Sequence, residues 1–185
     1  MSFAELSLRT ERLDLRPLQP SDADGFFALR ADPVVQRYGS SLPWTDPQQA
    51  SERIANDLRE MAAEAFVQLG IVRRTDGVLV GTCTLFHRDL ACRRAELGYA
   101  LAVRAWGQGY AVEAVTALLD WGFVHMDLNR VEADIDPRNA ASARLLDRLG
   151  FLREGHLRER WIVGGETSDS ALYGLLAREW AARRG

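Results

Sequence analysis

Between Leu8 and Pro17, apolar Leu13 and Leu15 alternate with Asp14 and Arg16. This is the period-two signature of a half-buried strand, closed here by proline. Ser21 is placed to cap a helix whose first turn carries Asp22 and Asp24, with Phe26, Phe27 and Leu29 on its buried face. Asp32-Pro33 opens a second short helical turn, and the stretch up to Trp44 is rich in Ser, Gly and Pro, as loops are. Tyr38 and Trp44 stand in it either as a substrate wall or as anchors for the loop. A longer helix runs from Asp46-Pro47 to about Ala63, with proline at its first position. Strands 66–73 and 78–86 follow, joined by the hairpin signal Thr75-Asp76-Gly77. A further strand from Ala95 to Val103 completes an antiparallel meander of three. Residues 110–124 are apolar nearly all round, which predicts a largely buried helix. Val131 to Asp136 alternates cleanly and stops at Pro137. Asn139 to Leu149 is a helix with Leu145, Leu146 and Leu149 on one face, ended by Gly150. Two last strands, 152–163 and 167–176, flank Gly164-Gly165.

The resulting order, βααβββαβαββ, predicts a mixed α/β fold in one domain spanning 1–185. The strand before helix 110–124 and the strand after it form a βαβ crossover, so those two should run parallel. Between strand and helix lies Val103-Arg104-Ala105-Trp106-Gly107-Gln108-Gly109-Tyr110-Ala111. Glycines at 107 and 109 let the backbone approach a ligand closely. The helix behind them directs unsatisfied N–H groups and a partial positive charge at the turn, the geometry that binds phosphate. Gly-x-Gly alone is weak evidence, and a tight turn that binds nothing reads the same. Val112 breaks the dinucleotide fingerprint, and no Gly-Lys-Ser/Thr follows to make a P-loop.

Arg104-x-x-Gly107-x-Gly109-x-Ala111 resembles the acyl-CoA pyrophosphate loop of the GNAT superfamily of N-acetyltransferases. Asn139-x-x-Ser142-x-x-Leu145-Leu146-x-x-Leu149-Gly150-Phe151 resembles the segment that follows it in that family. The opening Leu8-Arg9-Thr10-Glu11-Arg12-Leu13 and the tail from Gly165 through Asp169 and Leu172-Tyr173 to Glu179-Trp180 are similar to the RimJ/RimL-type branch, which acetylates protein N-termini. The resemblance implies a central, mostly antiparallel sheet flanked by helices, with one parallel strand pair splayed into a V. It implies acetyl-CoA as co-substrate and an amine as acceptor. Backbone groups of Leu101 and Val103 would pair with the pantetheine arm. N–H groups of Gly107, Gln108, Gly109, Tyr110 and Ala111 would cradle the pyrophosphate, with Arg104 beside it. Asn139 would hydrogen-bond the pantetheine near the thioester.

Acetyl transfer needs a neutral amine, a polarised thioester carbonyl and stabilisation of the leaving thiolate. A backbone N–H near Leu101 is the expected oxyanion donor. Glu96, a glutamate on an otherwise apolar strand, is the candidate base, with an ion-paired strand residue as the alternative. Many GNAT enzymes carry a tyrosine acid where this chain has Leu146; the RimJ/RimL-type branch uses a serine, which maps to Ser142. One turn past Asn139, Ser142 is the candidate acid, or else it bonds within its own helix. Glu113 sits in the first turn of helix 110–124, where the dipole favours it. Arg153, Arg158 and Arg160 meet an acidic substrate or guard a sheet edge, and Arg144 and Arg148 are candidates for the CoA 3′-phosphate.

Composition narrows the classes. At 185 residues the chain can bury a sizeable core, and its net charge of −3 argues against a nucleic-acid binder. No apolar run approaches membrane-spanning length, the first ten residues lack a signal-peptide core, and a cytoplasmic location is expected. Cys83 and Cys92 are too few for a disulfide framework, and His87, His125 and His156 are scattered, so no metal is expected. Nothing in the sequence encodes an oligomeric state, and a homodimer is compatible with it. Competing readings are an antibiotic or polyamine N-acetyltransferase and a non-catalytic acyl-CoA-binding module.

Overall fold

The structure, a computed structural model, describes residues 2–184. In chain order the elements are β1 (Leu8–Arg9), β2 (Leu13–Arg16), α1 (Ala23–Ala31), α2 (Pro33–Gln36), α3 (Gln48–Ala62), β3 (Val67–Arg73), β4 (Leu79–Asp89), β5 (Arg94–Leu101), α4 (Tyr110–His125), β6 (Arg130–Ile135), α5 (Ala140–Leu149), β7 (Leu152–Val163), β8 (Glu166–Leu176) and α6 (Ala177–Arg184). The strands form one sheet in the order β1-β2-β3-β4-β5-β6-β8-β7. Every neighbouring pair is antiparallel except β5 and β6, which run parallel across the α4 crossover.

Side-chain alternation along the strands divides the core between the two faces. On one face Leu13, Leu15, Leu69, Ile71, Leu85 and Leu97 pack with Ala114, Val115, Leu118 and Leu119 of α4. On the other, Leu79 and Ala100 pack with Phe26 and Leu29 of α1 and Ile54 of α3. α4 lies so close to the sheet that a Cβ built on Gly122 would meet Leu85 Cδ1 at 2.6 Å. That glycine fixes the depth at which α4, and so the turn at its N-terminus, sits against the sheet.

Four features differ from the sequence expectation. The first strand is two short ones, because Thr10, Glu11 and Arg12 turn the chain back: Thr10 N–H donates to Leu13 O at 2.9 Å. Ser21 does not cap α1; Gln19 begins a 3-10 turn over Pro20–Asp22, and α1 starts only at Ala23. The Asp22 carboxylate is held by Arg16 at 2.6 Å. Pro47 occupies the N-cap of α3 rather than its first turn. Finally, β8 runs on into α6, anchored by Trp180, whose indole N–H donates to Asp120 at 2.9 Å.

The close α4 contact predicts that Gly122→Ala costs about 1–3 kcal/mol of stability through overpacking. Chemical denaturation checks this: the midpoint should fall, with the slope unchanged.

Candidate active site

The parallel register pairs Arg94 with Arg130, Ala95 with Val131 and Glu96 with Glu132, and goes no further. Beyond that rung β5 stays with β4 as far as Leu101, while β6 stays with β8 as far as Ile135. The two parallel strands therefore part into a V. Arg93 C=O accepts from Arg130 N–H on the β6 side, and Ala102 N–H donates to Val80 on the β4 side. By alternation, odd-numbered residues of β5 turn their N–H and C=O groups toward β6. Tyr99 and Leu101 thus present backbone groups to the open gap. Tyr99, rather than Leu101, supplies the N–H nearest the apex.

At the wide end of the V, Gly107 and Gly109 adopt left-handed φ values of +72° and +79°. The chain then enters α4 with Gly109 as its N-cap. The N–H groups of Gly107, Gln108, Gly109, Tyr110 and Ala111 find no acceptor among the described residues. These are five donors at the positive end of a 16-residue helix. A Cβ at Gly107 would meet nothing within 4 Å, so the loop is open to solvent and to a ligand. A diphosphate, which offers only acceptors, fits such a donor set.

The loop is braced from an unexpected quarter. Arg12, from the β1–β2 turn, donates to Gln108 O at 2.9 Å and lies 4.7 Å from the centre of the Tyr110 ring. Its guanidinium pairs with Glu113 at 2.6 Å, and its backbone N–H donates to the same carboxylate at 2.9 Å. Thr10 Oγ1 also donates to Glu113, at 2.6 Å. Burial raises the Glu113 pKa, but the bonds from Thr10 and Arg12 outweigh it and hold the carboxyl below its ordinary value. Glu113 is therefore a brace for the loop. Arg104, expected beside the phosphate, donates through one nitrogen to Leu79 O at 3.2 Å, while its carbonyl accepts from Gln108 Nε2 at 2.8 Å. Arg12 is a second guanidinium that the fold brings to the glycine turn. The sequence signalled it only as part of the opening Leu8–Leu13 motif.

Leu101 and Val103 lie at the mouth of the V, and their carbonyls already accept from Trp106, through its indole N–H at 2.8 Å and its backbone N–H at 3.1 Å. What they retain for a pantetheine arm is second lone pairs and their own N–H groups, that of Leu101 facing the gap.

Ser142 and Tyr99 meet across the gap. Asn139 caps α5 by accepting from Ser142 N–H at 3.1 Å, which turns the first α5 residues toward the V and leaves the Asn139 amide N–H₂ free. Ser142 Oγ lies 2.5 Å from Tyr99 Oη. Burial pushes the Tyr99 pKa up to about 12, so the phenol stays protonated and one hydroxyl of the pair always has a proton to give. Buried Tyr173 stands near enough to reinforce that shift. Neither tyrosine was singled out from the sequence. Tyr99 falls on an odd position that reads as core, and its role emerges only when α5 folds back over the V. Leu146 is fully buried and can donate nothing.

Glu96 occupies the last paired rung on the opposite face, that of α1 and α3. Its carboxylate lies 3.1 Å from Nδ1 of solvent-exposed His87. On the same face, a surface cleft of about 360 Å³ opens between α2 and the β7–β8 hairpin. Pro33, Val34, Arg37, Tyr38, Arg138 and Glu166 line it. Tyr38 stacks between Arg37 and Arg138, so it is a wall of this cleft, whereas Trp44 packs edge-on against Phe26 and anchors the loop. Two of the outlying arginines have partners: Arg160 approaches Asp134, and Arg153 bonds His156, which pairs with Asp169. Cys83 is buried, its thiol pushed up to about 12, and no group of His, Cys, Asp or Glu among the described residues could hold a metal. No described helix is long and apolar enough to cross a membrane.

An eight-stranded sheet with one splayed parallel pair, and a donor-rich glycine turn where the pair opens, is the architecture of acyl-CoA N-acyltransferases. The family of acetyltransferase (GNAT) domains matches residues 12–152, and the chain belongs to that family. It is 41% identical over 177 residues to the uncharacterized N-acetyltransferase p20 of Bacillus licheniformis, covering 95% of this chain and 98% of that one. Spermidine N-acetyltransferase from Vibrio cholerae, solved with CoA and spermine, superposes with a TM-score of 0.82 at 22% identity, covering 93% and 99% of the two chains. Ribosomal-protein-S5-alanine acetyltransferase from Vibrio fischeri superposes at 0.81 with 22% identity, covering 95% and 99%. The chain is thus an N-acetyltransferase of the GNAT family, a family that uses acetyl-CoA.

The Arg12–Glu113 brace predicts that Glu113→Gln weakens CoA binding about tenfold by calorimetry, with little change in fold. Because the Glu113 pKa is depressed, its contribution is complete above the ordinary glutamate value of about 4.3 and is lost only as pH falls through the lower folded value. CoA affinity should therefore hold across neutral pH and fall only in acid.

Proposed function

We propose that the enzyme acetylates the α-amine of a protein or peptide N-terminus, as the RimJ/RimL-type branch does, acting in the cytoplasm as a single domain. Acetyl-CoA lies with its diphosphate on the amides of residues 107–111 and its pantetheine along the free edge of β5, where the Asn139 amide can also reach it. Arg12 and Arg104 are the cations at hand. Tyr99 N–H polarises the thioester carbonyl. The acceptor enters from the cleft beside Tyr38 as an ammonium and gives one proton to Glu96, which exposed His87 connects to solvent. The neutral amine then attacks that carbonyl, and the proton its nitrogen still sheds leaves by the same route. The C–S bond then breaks and the thiolate departs toward the other face, where Ser142 and Tyr99 meet it.

Magnitudes decide the role of that hydroxyl pair. A phenol near 12 gives its proton to a thiol-like leaving group near 8.5 only against roughly 4.8 kcal/mol. The pair therefore acts by hydrogen-bonding the thiolate, with Tyr99 donating to Ser142 and Ser142 to sulfur. The same arithmetic selects the acceptor. Neutralising an α-amine of pKa about 7.7–8.0 at pH 7 costs about 1–1.4 kcal/mol, whereas a lysine near 10.4 costs about 4.6. A single carboxylate base with no tyrosine at position 146 suits the weaker base. The Tyr99–Ser142 contact carries this reading, because it supplies a leaving-group partner where Leu146 supplies none. A polyamine acceptor is the second reading, favoured by the carboxylates Glu96 and Glu166 on the acceptor face.

An assay of thiol release from acetyl-CoA with an alanyl-initiated peptide, an N-blocked lysyl peptide and spermidine tests the proposal. The free N-terminus should be preferred at least tenfold; faster turnover of the lysyl peptide or of spermidine overturns it. Ser142→Ala should lower kcat about 10- to 100-fold, and Tyr99→Phe less, with acetyl-CoA affinity kept in both.

A further inference from the structure

Past the Glu96–Glu132 rung, the next β6 residue on the acceptor-side face is Asp134, which β8 pairs with Leu172. The matching position on β5 is Gly98. Its missing side chain leaves the gap clear there, and a Cβ would press on Thr84 Cγ2 at 2.9 Å. The Asp134 side chain is only 10% exposed. Its Oδ1 is fully buried, with no hydrogen-bond partner among the described residues. The other oxygen faces Arg160 Nε of β7 at 3.9 Å, too far for a hydrogen bond. A buried carboxylate oxygen without a donor is costly, and native folds keep few of them. Among the described residues, two others with such atoms lie elsewhere: Asp57 has Arg53 at 2.7 Å on α3, and Arg88 stacks over Phe3. Of these, Asp134 is the one at the V.

We infer that Asp134 is the carboxylate that binds the acceptor's ammonium group. The inference rests on acetyl-CoA occupying the V as proposed above. An amine arriving from the cleft donates to Oδ1, which supplies the missing partner and holds the nitrogen over the bare position at Gly98. Tyr99, the next residue, directs its N–H at the thioester carbonyl. Glu96, one rung behind, then takes the proton. Asp134 thereby sets a requirement that the acceptor arrive as a small, unhindered ammonium.

Asp134→Ala, assayed with acetyl-CoA and the alanyl peptide or spermidine, whichever the wild type acetylates, should raise the acceptor KM or lower kcat/KM roughly ten- to hundred-fold. Its calorimetric affinity for CoA should match wild type. Sodium formate, which can occupy the vacated carboxylate site, should restore at least tenfold of the loss in Asp134→Ala but not in Asp134→Asn, where the amide fills the space. An Asp134→Ala enzyme within threefold of wild type, or a loss that formate leaves untouched, overturns the assignment. Failure of the wild type to bind CoA would instead overturn the reading beneath it.

Discussion

The structure depends on one unmet demand: five consecutive backbone N–H groups, from Gly107 to Ala111, that find no acceptor among the described residues. They exist because two residues with positive φ bend the chain sharply between β5 and α4, and only glycine adopts that bend without strain. They stay aimed because α4 is seated on the sheet by Gly122 and because Arg12 and Glu113 lash the turn to the other end of the chain. Water can meet these donors only one by one. A diphosphate can meet several at once, and the helix dipole adds to the attraction.

The same constraint organises the chemistry. In the proposed reading, a ligand held at the wide mouth of the V runs its arm along the free edge of β5, because that is where strand-like backbone groups remain unpaired. Its reactive end then falls where the strands part. There the two faces of the sheet separate the tasks. The face of α1 and α3 carries Glu96, Asp134 and the cleft beside Tyr38, the route proposed for the amine. The other carries Tyr99 and Ser142, the place proposed for the thiolate. Acceptor and leaving group need not compete for one pocket.

Much of this was legible in the sequence. Clean alternation from Val131 to Asp136, the apolar stretch of α4 and the glycine stop at Gly150 placed the crossover and hence the parallel pair. The glycine turn marked the candidate phosphate site. What escaped was long-range. The turn at Thr10 to Arg12 looks like part of a strand until Glu113, about a hundred residues away, is seen to hold it. Asp22 reads as a helix-dipole partner and is held by Arg16 instead. Tyr99 reads as core, and Asp134 reads as one polar position in an alternating strand. Each acquires a role from a neighbour supplied by topology, which no local pattern encodes.

Amide hydrogen exchange, followed residue by residue with and without CoA, tests the central claim most directly. Strong new protection is expected at Gly107 to Ala111, together with Tyr99, Leu101 and Val103, with little change along β7. Protection confined to other segments, or no change at the glycine turn at saturating CoA, would contradict it.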